Sequence, residues 1–75
     1  MKNSTLRDLI LDINEIDENR NPFSIARKMV IAIKNNEIDS RQFELLTGTF
    51  YQTCGREKIH IPNQVCQLLE NFIKP

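Results

Sequence analysis

Seventy-five residues are enough for one small domain and few for a catalytic one. Apolar residues make up 40% and charged residues 27%, with ten Lys and Arg against ten Asp and Glu. That balance argues against binding driven mainly by phosphate neutralisation, two Cys cannot build a disulfide framework, and no apolar run nears the roughly 18 residues of a membrane span.

With only two Gly and three Pro, the chain is poor in the tight turns of an all-β domain. Helix one is predicted from Thr5 to Ile16, capped by Asn3 or Ser4. Leu6, Leu9, Ile10, Ile13 and Ile16 fall on one stripe of a 3.6-residue period, and Leu11 lies off it. Asp17 to Asn21 has no apolar residue and is expected to loop. Helix two starts at Pro22, behind the good N-cap Asn21, and is expected to reach Asn35. Phe23, Ile25, Ala26, Met29, Val30, Ala32 and Ile33 fill half of its circumference. So wide an apolar arc predicts a central helix. Ser24, Arg27, Lys28, Lys34 and Asn35 hold the other half, with Ile31 projecting from its middle.

The start of helix three carries the strongest local signal. Asp39 and Gln42 form a capping-box pair, and Ile38 can staple onto Phe43. Phe43, Leu46, Phe50 and Cys54 make the expected buried line. Tyr51 flanks that line, Leu45 points elsewhere, and Gly55 is the expected stop. Gly48, inside the helix, costs about 1 kcal/mol relative to Ala. Ile59-His60-Ile61 alternates before Pro62, which forbids helix at Ile61, so an extended connector is expected. Helix four spans Asn63 to Ile73, buried through Val65, Leu68, Leu69, Phe72 and Ile73. The expected fold is therefore all-α, a compact four-helix bundle or orthogonal helical array over residues 1–75.

Charge is zoned along the chain. Residues 1–18 are net −3, residues 19–36 net +4, residues 37–55 net −2 and residues 56–75 net +1. Such zones can face one another or steer a charged partner.

Candidate chemistry is sparse. His60 is the single histidine and has no nucleophile beside it in sequence. Cys54 and His60 could pair as thiol and imidazole, but little chain is left to build a cleft and an oxyanion hole. Cys54, His60 and Cys66 lack the close Cys pairs of a zinc site. Asp12, Asn14, Asp17 and Glu18 fail the calcium-loop pattern, since Asp17 stands where that loop needs Gly. Gly48 and Gly55 stand alone, so no phosphate loop exists. No enzyme, cofactor or metal site is expected.

The binding candidates are Arg27, Lys28, Ile31 and Lys34 on helix two, an apolar anchor ringed by bases. Leu11 and Leu45 are a second possible surface. The expectation is a protein-docking regulator, adaptor or accessory factor of the bacterial or phage cytoplasm, with a protein partner or a second copy. Nucleic acid is possible through helices two and three as a helix-turn-helix, led by Ser40, Arg41 and Gln42. Glu37, Asp39 and Glu44 at its leading end speak against that.

Two bacterial families share this outline. Lys34-Asn35-Asn36 ending a helix, a capped third helix, and Glu57-Lys58-Ile59 before a last amphipathic helix resemble the small helical bacteriocin immunity proteins, though the chain is shorter than typical members. That resemblance implies an antiparallel bundle conferring immunity in the cytoplasm. Asn35-Asn36-Glu37 before a capped helix, and Ile61-Pro62 before the final one, are similar to the haemolysin-expression-modulating family of nucleoid-associated proteins. That one implies a transcription regulator.

Overall fold

The computed structural model describes residues 3–16 and 21–73. Four helices occur in chain order: α1 (Asn3–Asn14), α2 (Pro22–Lys34), α3 (Ser40–Arg56) and α4 (Asn63–Glu70). No strand occurs among the described residues. The fold is the all-α helical bundle or array that the periodicity predicts.

α1 begins earlier than its pattern suggests, with Asn3 and Ser4 inside the helix rather than capping it. The residue before it lies outside the described residues. At its other end α1 stops two residues short of Ile16. Glu15 N–H and Ile16 N–H still donate to Leu11 O and Ile13 O at 3.0 and 3.2 Å. This last turn carries Ile16 under the helix, where it is buried. The loop expected after it lies outside the described residues, apart from Asn21.

Asn21 caps α2 as expected, its side chain accepting from Phe23 N–H at 2.8 Å. At the far end, Asn36 takes the left-handed conformation, φ 60°. Its N–H donates to Ile33 O and that of Glu37 to Ala32 O, at 3.2 and 2.9 Å. The two bonds close a Schellman turn, which satisfies carbonyls the helix end would otherwise leave open. α3 starts on the predicted capping box. Asp39 Oδ1 accepts from Gln42 N–H at 2.8 Å, and Gln42 Oε1 accepts from Asp39 N–H at 3.0 Å. Ile38 and Phe43, the staple pair, are both buried.

Gly55 does not end α3. The helix runs through it to Arg56, and Lys58 turns left-handed instead, φ 57°. Lys58 N–H reaches Gly55 O and Ile59 N–H reaches Cys54 O, at 3.2 and 2.8 Å, a second Schellman turn. Ile59 at its end tucks in against the core beside Cys54, an apolar pair that such turns favour. Neither helical glycine marks a close approach, since a Cβ at Gly48 or Gly55 would meet open space. Both are tolerated weaknesses of the helix. α4 is shorter than expected and ends at Glu70. Phe72 N–H and Ile73 N–H then make tighter bonds to Leu69 O and Glu70 O, at 3.1 and 3.2 Å.

The core is one cluster fed by all four helices. Phe43, Phe50, Ile13, Met29, Leu69, Val65 and Cys54 are its most deeply buried members. α2 packs on α1, α3 and α4, which makes it the central helix its wide apolar arc implies. Thr47 is buried as well, its hydroxyl donating back to Phe43 O at 2.9 Å. Two residues depart from their expected stripes. Ile10 is 40% exposed, because Leu9 and Ile13 lead the buried line and Ile10 sits at its margin. Phe23, in the first turn of α2, is 41% exposed. Burying a Leu, Ile or Phe contributes about 1.5–3 kcal/mol, and chain entropy of about 1–2 kcal/mol per residue offsets most of the sum.

The molecule is a slab, 32 × 26 × 16 Å. A layer so thin leaves one side of each helix facing water. No helix is long and apolar enough to cross a membrane among the described residues.

Candidate functional site

The outer half of α2 brings four of the predicted residues together. Arg27, Lys28, Ile31 and Lys34 are all exposed, Ile31 by 52%. Arg27 leans over the Phe23 ring one turn back, 5.9 Å from its centroid. A cation at that distance from an exposed ring gains about 0.5–1 kcal/mol, so the pair is partly fixed in advance. Lys34 lies 5.9 Å from the centroid of Phe72, just beyond α4. Phe72 in turn meets Phe43 with ring centroids 5.9 Å apart.

Ile31 stands where three shallow grooves converge. One runs toward the start of α2 and is lined by Phe23, Ser24, Arg27 and Lys28. One runs toward α4 and is lined by Val30, Lys34 and Leu68. The third, about 310 Å³, lies between α1 and α2, with Asp8 and Asp12 on one wall and Lys28 and Ile31 on the other. All three are open depressions along the surface. Such a shape suits the side chains of a protein partner better than an enclosed small molecule.

Lys28 differs from its neighbours. Its ammonium meets Asp12 Oδ2 at 3.2 Å, so the basic zone of α2 and the acidic zone of α1 face each other at this point. Thr5 donates to Glu37 Oε1 at 2.6 Å farther along the same groove. Thr5 with Glu37 and Asp12 with Lys28 show that α1 and α2 run antiparallel. Arg27 and Lys34 are therefore the cations of α2 directed away from α1.

Leu11 and Leu45 are exposed by 50% and 68%. The groove at Leu45, about 280 Å³, takes Leu6 and Ile10 from α1 rather than Leu11. Sequence reasoning misses this grouping because the helical stripe places Ile10 wholly in the core. Its marginal place on that stripe is the available signal. Gln42, a candidate for reading a base, is half-buried and engaged in the capping box.

The groups that could carry chemistry are dispersed. Cys54 is fully buried and burial pushes its thiol up from the ordinary 9.0, away from the reactive thiolate. His60 is exposed on the connector. No three His, Cys, Asp or Glu side chains gather as metal ligands among the described residues. The Tyr51 hydroxyl is buried without a partner in hydrogen-bonding geometry and lies beside the Cys66 thiol. Burial first, then Cys66 and Glu70, push its pKa up to about 12.

No protein family, curated protein or solved structure matches the chain.

Proposed function

We propose that the protein acts without catalysis, by docking another protein on the outer face of α2. The observation that carries this reading is Ile31, 52% exposed and ringed by Arg27, Lys28 and Lys34 at the meeting of three grooves. An exposed branched apolar residue is an anchor, and the surrounding cations select an acidic rim on the partner. A regulator, adaptor or accessory factor of a bacterial or phage cytoplasm fits this role. The buried free thiol of Cys54 is at home in such a reducing compartment. A protein partner is favoured over nucleic acid because the chain has no net charge and the start of α3 presents Asp39 and Glu44.

Charge reversal tests the reading. Arg27→Glu with Lys34→Glu is the cleaner pair, since Lys28 already serves Asp12. The expected result is weaker capture of host proteins with unchanged helicity. Capture that ignores both substitutions overturns the assignment. Binding that instead falls steeply with salt on a nucleic-acid probe points to the DNA-associated alternative.

A further inference from the structure

α2 is flanked by two grooves that differ in charge. Toward α1, Asp8 and Asp12 face Lys28, and the Lys28–Asp12 pair at 3.2 Å cancels charge within the chain. Toward α4, the groove of about 210 Å³ is lined by Arg27, Val30, Ile31, Lys34 and Leu68. Neither Arg27 nor Lys34 has a carboxylate partner among the described residues. α2 contains no Asp or Glu, and α4 contains one, Glu70. Glu70 stands two residues beyond Leu68, roughly 200° round the helix, on the side that reaches Tyr51 of α3. On the side of Leu68, at i−4 and i+3, come the exposed amides of Gln64 and Asn71. One wall of this groove is therefore positive, the other is neutral, and the space between them is apolar. We propose that it seats an acidic amphipathic helix of a partner protein, lying along α2 with its apolar edge on Ile31 and Leu68. The inference rests on the docking reading above and names the chemistry of the partner.

Spacing sets the shape of that partner. Arg27, Ile31 and Lys34 fall at i, i+4 and i+7, so the two cations stand about 10 Å apart along α2 with the apolar residue between them. A helix laid alongside matches this with Asp or Glu two turns apart and a Leu or Ile midway, at j, j+4 and j+7. An extended segment fits less well. Its residues on one face recur at steps of about 7 Å, and neither one step nor two spans the gap.

The seat is longer than the one groove. The groove toward the start of α2 shares Arg27 and Ile31 with it and adds Phe23. From Phe23 to Lys34 the track runs about 16 Å, three turns of helix. Both cations rest on rings in advance, Arg27 over Phe23 and Lys34 over Phe72, each 5.9 Å from the centroid. Less side-chain freedom is then lost on binding. A helix of three turns covers less than the roughly 800 Å² that each partner gives to a standard interface. The complex is therefore transient and sensitive to salt.

A peptide titration of the full chain followed by NMR tests this. The probe is an Ala- and Gln-rich peptide of about 18 residues, blocked at both ends, with Glu, Leu and Glu at j, j+4 and j+7. It is added at low salt up to about 1 mM. The expected result is saturating shift changes gathered on α2 and α4 around Arg27, Ile31, Lys34 and Leu68. Arg27→Glu with Lys34→Glu should weaken binding by about tenfold or more, and a peptide with Lys in place of both Glu should recover most of that loss on the double variant. Circular dichroism of the variant keeps misfolding apart from lost binding. Absence of binding at about 1 mM overturns the inference. So does a Lys peptide that binds the unaltered chain as well as the Glu peptide, or shifts that gather at Leu45 instead. Two other occupants of the face would also overturn it. One is a homodimer in sedimentation that Ile31→Arg disperses, and the other is binding to phosphatidylserine vesicles by a chain that ignores the peptide. If the peptide fails while capture of a host protein still depends on Arg27 and Lys34, this inference falls and the docking reading stands. If capture ignores them as well, both fall.

Discussion

The chain leaves α2 and α3 through the same kind of turn, but the two junctions beyond those turns are built differently. After α2, the left-handed residue is Asn36. Thr5 grips Glu37 next to it, Ile38 drops into the core, and Asp39 opens α3 with a complete capping box. After α3, the left-handed residue is Lys58. Ile59 is only half-buried, the backbone stays extended to Pro62, and α4 begins with no side-chain cap. One junction is held by several independent contacts, whereas the other relies on a turn that its sequence disfavours. The first junction is thus the more firmly fixed of the two, and α4 is held by the burial of Val65 and Leu69 against the core rather than by its cap.

The largest effect expected of this contrast comes from its two apolar anchors. Phe43 is fully buried beside the first junction and its ring meets Phe72. Phe43→Ala should cost about 3–5 kcal/mol, enough to leave a domain of this size largely unfolded at room temperature. Ile59→Ala at the second junction should cost clearly less, because Ile59 already keeps some contact with water. Urea denaturation of the two variants checks the ranking, and equal losses would show that the junctions bear equal load.

Ionisation reaches the second region from another side. Tyr51 on α3 lies beside Cys66 on α4, and its pKa stands at about 12 against an ordinary 10.0. In the unfolded chain the phenol loses its proton near pH 10, while in the folded chain it holds it to about 12. Between those values the unfolded state binds fewer protons, so stability is intact below pH 10 and falls as pH rises through the window. Solvent at the ring edge moderates the loss, which stays below that of Phe43→Ala. Tyr51→Phe should flatten the decline. Denaturation midpoints measured from neutral pH to about 12 would show whether it does.

Caps come next in size. Asp39→Ala removes the acceptor for Gln42 N–H and frees the returning side chain. The expected cost is about 1 kcal/mol. No such loss is available at α4, whose cap position is Pro62. Thermal melts of Asp39→Ala should therefore show a lower midpoint, by roughly 4–8 °C for a domain of this length. An unchanged midpoint would mean that the Thr5–Glu37 bond and Ile38 fix the first junction by themselves.

Legibility in the sequence depends on the range of the forces involved. The α2 and α3 starts are local, set by Asn21, Pro22, Asp39 and Gln42 within a few residues, and the sequence pattern locates them. The buried line of α3 and the central place of α2 are equally plain from spacing. Features that need neighbours escape. Ile10 and Phe23 belong to apolar arcs, yet they sit at the margins of the helix packing, so they stay 40% and 41% exposed. Gly55 looks like a stop because glycine tolerates a left-handed turn, but the helix passes through it and Lys58 makes the turn. The position of that turn is set by Ile59 seeking the core, a long-range demand that glycine preference does not report. The exposure of Arg27, Ile31 and Lys34 is readable from the wheel of α2. The Lys28–Asp12 bond is not, since it depends on how α1 and α2 meet.

The misplaced preference at Lys58 yields the finest comparison. A left-handed conformation brings Cβ of an L-residue too close to the carbonyl after it, at a cost of about 1–2 kcal/mol. Glycine escapes that clash and gives back part of the gain through the extra freedom of its unfolded chain. Lys58→Gly should therefore stabilise the protein by about 1 kcal/mol. Asn36 stands at φ 60° in the same turn, but asparagine adopts this region with little penalty. Asn36→Gly should change stability by only a few tenths of a kcal/mol. The two substitutions alter backbone freedom identically, so their difference isolates the strain that lysine carries. If both proved neutral, Lys58 would be under no strain, and the weakness of the second junction would lie wholly in the uncapped start of α4.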